Sequence, residues 1–214
     1  MLSKVRRAVL GGLSLLWGGL LFGSYATQPP SEPFGNRIPK ALALCSSAAV
    51  LVSAWLIRGA RRTGPAADYS HQIAKGMTWG FVGDLSMLVS VPLGMVTFGI
   101  GHIEYVLGML RLAKAEGLDS KLIRLGAWAT WLGVGVTAWY IVVRSGPKGD
   151  SALAWIALPY TLLLASTAGV ATGLALQGAR YLPLALGSVL FLLSDLVIAM
   201  RMFHPDLFAQ IPDS

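Results

Sequence analysis

Charged side chains are scarce in this sequence: Asp, Glu, Lys and Arg together make up 13% of it, against 55% hydrophobic residues. With so few polar groups the folded chain cannot cover a soluble core, and the mean hydropathy of +0.64 points the same way. The sequence is therefore read as an integral membrane protein. Cysteine is nearly absent too. The single Cys45 falls in an apolar run, which excludes an intramolecular disulfide and leaves the redox compartment open. Histidine occurs three times. His71 and His204 are expected in loops near opposite membrane faces, where they cannot join His102 in a three-histidine zinc site, so no metal and no other cofactor is expected. Acidic residues number ten against seventeen basic ones, a formal charge of +7. In a soluble protein that excess would suggest nucleic acid. Here it is read loop by loop, as topology and contact with anionic lipid headgroups, and no nucleic-acid partner is expected.

What the sequence does have is long apolar runs. Seven of them, at about 8–26, 40–58, 72–90, 92–113, 125–143, 152–176 and 182–203, are long enough to cross a bilayer as helices. The fold class is all-α, a polytopic transmembrane helix bundle of about seven spans forming a single domain over 1–214. The first run exceeds the usual apolar core of a signal peptide and is read as an anchor. Pro29, Pro30, Pro33 and Pro39 mark the loop after it. Arg61, Arg62, Pro65 and Asp68 are read as a second loop. Pro92 and Pro183 suit the first turns of their spans, where a missing N–H does no harm. Pro159 is expected to kink the sixth span, whose run of small residues from Ser166 to Gly173 lets a neighbouring helix approach closely. Trp128, Trp131, Trp139 and Tyr140 are read as interfacial anchors or packing groups.

With seven spans, Lys4, Arg6, Arg7, Arg58, Arg61, Arg62, Lys75, Arg111, Lys114, Lys121, Arg124 and Arg180 share one side, twelve of the seventeen basic residues. The positive-inside rule places the N-terminus in the cytoplasm. The membrane would be the plasma or inner membrane in a prokaryote.

The stretch from Gly80 to Tyr105 sets Asp84, His102 and Glu104 into otherwise apolar sequence, and Ser194 and Asp195 repeat the device near the other end. A charged group at the centre of a spanning helix costs roughly 2.5 to 3.5 kcal/mol even on the lenient insertion scale, so retained ones tend to be used. At 1.5 Å per residue, Asp84, His102 and Asp195 lie about 18, 15 and 20 Å along their spans, all near the midplane or slightly to its outer side. Phe98, His102 and Tyr105 follow the spacing of one helix face, as do Ser188, Phe191 and Asp195. A single intramembrane acid is as often a helix-packing group as a functional one, but two acids and a histidine at similar depth favour function. Glu104 sits one step around the helix and is read as a supporting group. A polar cavity lined by the third, fourth and seventh spans is the resulting expectation.

At these residues the chain resembles the YhhN-type lysoplasmalogenase family of polytopic membrane proteins. The resemblance lies in Lys40-Ala41-Leu42, in Gly83-Asp84-Leu85, in Phe98 with Gly101-His102 and Tyr105, and in Gly187 leading to Phe191 and Ser194-Asp195-Leu196, over roughly residues 37–203. The family pattern has proline directly after the lysine, whereas here Pro39 precedes Lys40. The family also has an eighth helix carrying a tyrosine and a glutamine or histidine, beyond the reach of this sequence. The resemblance implies hydrolysis of the vinyl ether bond of a lysoplasmalogen, with a lysophospholipid or other ether lipid as partner, membrane lipid around it, and the oligomeric state open. For that reaction the hypothesis is that Asp84 and Asp195 form an acid and base pair, which of them donates being left open, with His102 orienting water or the leaving oxygen. Tyr105, Ser194, Ser188 and Phe98 are candidates to meet the substrate, and Lys40 is read either as a phosphate contact or as an interfacial anchor, the commoner role of such a lysine. Chemistry is consistent with this: protonation of the alkene carbon gives an oxocarbenium ion that water captures, which needs one neutral acid and one carboxylate.

Two other classes use buried acids. Gly83-Asp84 with a second intramembrane aspartate is also similar to aspartyl intramembrane proteases, although their partner motifs are not evident. A transporter or proton relay is the other, and no internal repeat of the kind that many transporters carry is visible.

Overall fold

The computed structural model describes residues 4–26, 37–60, 63–118 and 120–206. Among these, seven α-helices follow in order: α1 (Lys4–Ala26), α2 (Arg37–Ala60), α3 (Pro65–Met87), α4 (Val91–Ala115), α5 (Lys121–Trp139), α6 (Ala152–Gln177) and α7 (Leu182–Phe203). A π-helical turn, Tyr140–Arg144, extends α5, and a 3-10 turn, Ala179–Tyr181, leads into α7. No strand occurs among the described residues. Every expected span coincides with a helix, and the protein is an all-α helical membrane protein.

Five segments are long and apolar enough to cross a membrane: Lys40–Gly59, Val91–Ala115, Lys121–Arg144, Ala152–Gln177 and Ala179–Phe203. In α1 the apolar stretch Ala8–Ser24 is shorter, and α3 is not among the five. The α3 helix carries Asp68, His71, Gln72, Lys75 and Asp84 along its length, which dilutes its apolar character. It also starts earlier than expected. Gly64 takes a positive φ of 85°, Pro65 follows in the first turn, and Asp68 lies in the same turn, where its charge complements the helix N-terminus. Residues that look like loop punctuation are therefore the start of a helix, and His71 lies within α3 rather than in a loop. His204 caps the end of α7.

Contacts group the chain into two compact units, one ending at Gly101 and the other beginning at His102. Inside the first, α1 packs on α2 and α2 on α3. The Ser46 hydroxyl donates to the Trp17 carbonyl at 3.3 Å, and Trp55 Nε1–H donates to Thr78 Oγ1 at 3.1 Å. Close approach of α3 to the first half of α4 rests on glycine. A Cβ on Gly83 would sit 2.8 Å from the Phe98 ring, and one on Gly101 would sit 2.9 Å from the Gly76 carbonyl oxygen.

The second unit is built on α6. Ala154, Ala165, Ala168 and Ala171 are fully enclosed, and Leu164 and Leu174 nearly so. In lipid the hydrophobic effect does not drive helices together, so association depends on van der Waals contact and interhelical hydrogen bonds, which favours such small side chains. Against α6 lies α5, so close that a Cβ on Gly169 would be 2.8 Å from the Trp128 Cα. Three α5 indoles donate into α6: Trp128 to Ser166 at 3.1 Å, Trp131 to Thr172 at 3.0 Å and Trp139 to the Ala154 carbonyl at 2.9 Å. These tryptophans are packing groups. On its other side α6 contacts α7.

Candidate functional site

The expected site residues divide between the units: Lys40, Asp84 and Phe98 fall in the first, and His102, Tyr105, Ser188, Ser194 and Asp195 in the second. Asp84 lies in the last turn of α3, three residues before its end at Met87 and next to Gly83, and is partly buried. It hydrogen-bonds with the Ser47 hydroxyl on α2. Gly83 is what lets the Phe98 ring lie directly against this turn of α3, so Phe98 walls the same turn that carries the acid. Lys40 lies in the first turn of α2, half-buried.

In the second unit His102 is the centre of a cluster. Its residue is 4% exposed, and three aromatic rings stand edge-on around the imidazole: Phe191 at 5.1 Å between centroids, Tyr105 at 5.5 Å and Tyr160 at 6.4 Å. Tyr105 lies one turn beyond His102 on α4. His102 Nδ1 lies 2.9 Å from Thr167 Oγ1 on α6. Tyr160, also on α6, donates its phenolic hydroxyl to Asp195 Oδ2 on α7 at 2.5 Å. An O–H···O− bond of that length is in the strong, charge-assisted class.

Helix geometry explains the convergence. Tyr160 and Thr167 are seven residues apart, two turns on one face of α6, so one face presents both a phenol and a hydroxyl. Phe191 and Asp195 are one turn apart on α7 and share a face likewise. The three helices meet at this level with polar groups that satisfy one another, as burial away from water requires.

Sequence reasoning missed Tyr160 and Thr167 as members of this cluster. Tyr160 follows Pro159 in an apolar run, and Thr167 was legible only as a small residue; their seven-residue spacing on the helix that α4 and α7 both touch is the signal that could have found them. Ser188 donates its hydroxyl to the Ala185 carbonyl in its own helix, at 2.8 Å, and Ser194 is exposed beside Asp195. Among the described residues no group of three or more His, Cys, Asp and Glu side chains is arranged to hold a metal ion. Cavities of about 290 and 250 Å³ lie in the first unit between α1, α2 and α3, and none of the candidate residues lines them.

A comparison with protein-family models gives one finding: the model described as the YhhN family matches residues 37–211. No curated protein and no solved structure matches the chain.

Proposed function

The chain belongs to the YhhN family, and from that membership we propose that it is a multi-pass membrane hydrolase that cleaves the vinyl ether bond of a lysoplasmalogen-like ether lipid. Its N-terminus lies in the cytoplasm, the side on which the basic loops gather. Cleavage gives a fatty aldehyde and a glycerophospho-alcohol.

The observation that carries this reading is the cluster of His102, Tyr160 and Asp195 inside otherwise apolar helices. A vinyl ether opens when its alkene carbon is protonated, and the positive charge then spreads over carbon and oxygen. Asp195, held by the Tyr160 hydroxyl, suits the ionised carboxylate that stabilises this cation. Asp84, the aspartate of the third expected span, is proposed as the proton donor. Water adds to the oxocarbenium carbon, and the resulting hemiacetal collapses. His102 orients the water or the leaving oxygen. Tyr105 and Phe191, edge-on to the imidazole, contribute apolar walls suited to an alkenyl chain, and Phe98, against the turn that carries Asp84, is an apolar group of the first unit proposed to meet the lipid. Ser194, Ser188 and Lys40 are proposed to meet the polar part of the lipid.

The test is release of aldehyde from a defined lysoplasmalogen by the purified protein in detergent. Turnover by the wild type that disappears in Asp195→Asn supports the proposal. A folded, monodisperse wild type that releases no aldehyde overturns it.

A further inference from the structure

The hydrogen bonds around Thr167 determine which nitrogen of His102 carries its proton. Thr167 Oγ1 has a single hydrogen. It lies 3.0 Å from the Leu163 carbonyl oxygen one turn back on α6, and 2.9 Å from His102 Nδ1. A carbonyl has nothing to donate, so the Thr167 hydroxyl donates to Leu163 and its lone pair faces the imidazole. In this arrangement the hydrogen between Thr167 and His102 comes from the imidazole. Turning the hydroxyl toward Nδ1 instead would leave two oxygens 3.0 Å apart with no hydrogen between them, and the half-buried Leu163 carbonyl with its helix-backbone donor alone.

From this arrangement we infer that Thr167 holds His102 as its neutral Nδ1–H tautomer, so that Nε2 is the imidazole atom that takes a proton. Thr167 is a positioning residue: it acts on the reaction only through the ring it orients, in the way that the partner of one histidine nitrogen sets the role of the other. The enclosure by Tyr105, Tyr160 and Phe191 leaves the rotation of that ring little room.

The role of Nε2 rests on the vinyl ether reading. As water adds to the oxocarbenium carbon, an oxygen lone pair forms the new C–O bond, one O–H bond breaks, and its proton goes to Nε2. The imidazolium then delivers that proton to the glyceryl oxygen as the old C–O bond of the hemiacetal breaks. The remaining hydroxyl proton returns to the carboxylate that protonated the alkene, and the aldehyde carbonyl forms. One water is consumed and every side chain is restored.

The tautomer is read directly by nitrogen NMR of the full chain labelled with [15N]histidine and held in detergent, without substrate. His102→Gln assigns the signal among the three histidines of the sequence. The expected result is a neutral ring with a protonated, pyrrole-like Nδ1 and an unprotonated, pyridine-like Nε2. Thr167→Ser should keep that signature and Thr167→Val should lose the pyrrole-like Nδ1 signal. A wild-type ring protonated at Nε2, or at both nitrogens, overturns the inference, as does a folded Thr167→Val protein with an unchanged spectrum. If Thr167→Val does not fold, the wild-type spectrum still decides. Failure of the vinyl ether reading would appear separately, as absence of aldehyde release alongside the expected spectrum.

Discussion

The Tyr160 hydroxyl lies 2.5 Å from Asp195 Oδ2, joining the first half of α6 to the second half of α7. Hydrogen bonds to charged groups contribute roughly 1.5 to 3 kcal/mol. If the full difference is expressed in the transition state, Tyr160→Phe should lower the rate of aldehyde release by about ten- to hundredfold while leaving the ring packing in place. Unchanged turnover in a folded variant would show that the phenol does not act through Asp195.

Asp84→Asn and Asp195→Asn remove the two proposed carboxyl functions at nearly constant volume. Each should reduce turnover by roughly 10²- to 10⁴-fold, the range of general acid–base catalysis, with the elution profile on size exclusion unchanged. Retained activity in either variant would strike that residue from the mechanism.

The α5–α6 contact predicts a contrast between two glycines of the same unit. Gly169→Ala places a Cβ 2.8 Å from the Trp128 Cα, a backbone atom that cannot swing aside. Overpacking of this kind costs about 1 to 3 kcal/mol. Gly126 has no neighbour within 4 Å of a built Cβ, so Gly126→Ala should leave stability unchanged or raise it by up to about 1 kcal/mol, since alanine favours the helix. Thermal unfolding in one detergent compares the two, and equal melting temperatures would contradict the packing described.

Two polar links in the second unit should differ in the other direction from their charge. Arg180 and Tyr181 both reach the Glu116 carboxylate near the helix ends, but the Arg180 side chain is 65% exposed. Arg180→Ala should cost at most about 1 kcal/mol. Trp131→Phe, which deletes the 3.0 Å bond to Thr172 inside the helix pair, should cost about 0.6 to 2 kcal/mol from that bond, with lost packing of the larger ring added. Unfolding measurements at low and high salt separate them, because only the Arg180 effect should shrink as salt rises.

Much of the fold was legible because long apolar runs admit few alternatives, and the seven expected spans all fall on helices. The start of α3 was not, because Pro65 and Asp68 carry the same signal in a first turn as in a loop. The run 72–90 was read as a span, yet the polar residues along α3 leave it outside the five segments apolar enough to cross a membrane. Among the candidate residues, Asp84, His102 and Asp195 announced themselves as ionisable side chains in apolar surroundings. Tyr160 and Thr167 are ordinary residues in a transmembrane sequence, and only their partners on α7 and α4 give them a role. The α5 tryptophans admitted two readings until Ser166, Thr172 and the Ala154 carbonyl supplied acceptors for their indoles.

Those indoles have an optical consequence. Of the seven tryptophans in the sequence, Trp128, Trp131 and Trp139 lie on α5 and Trp155 on α6. Trp139 and Trp155 stand 5.5 Å apart between ring centroids. Ultraviolet emission from the protein is therefore weighted toward a single pair of helices, and a fluorescence-detected melt reports the parting of α5 from α6.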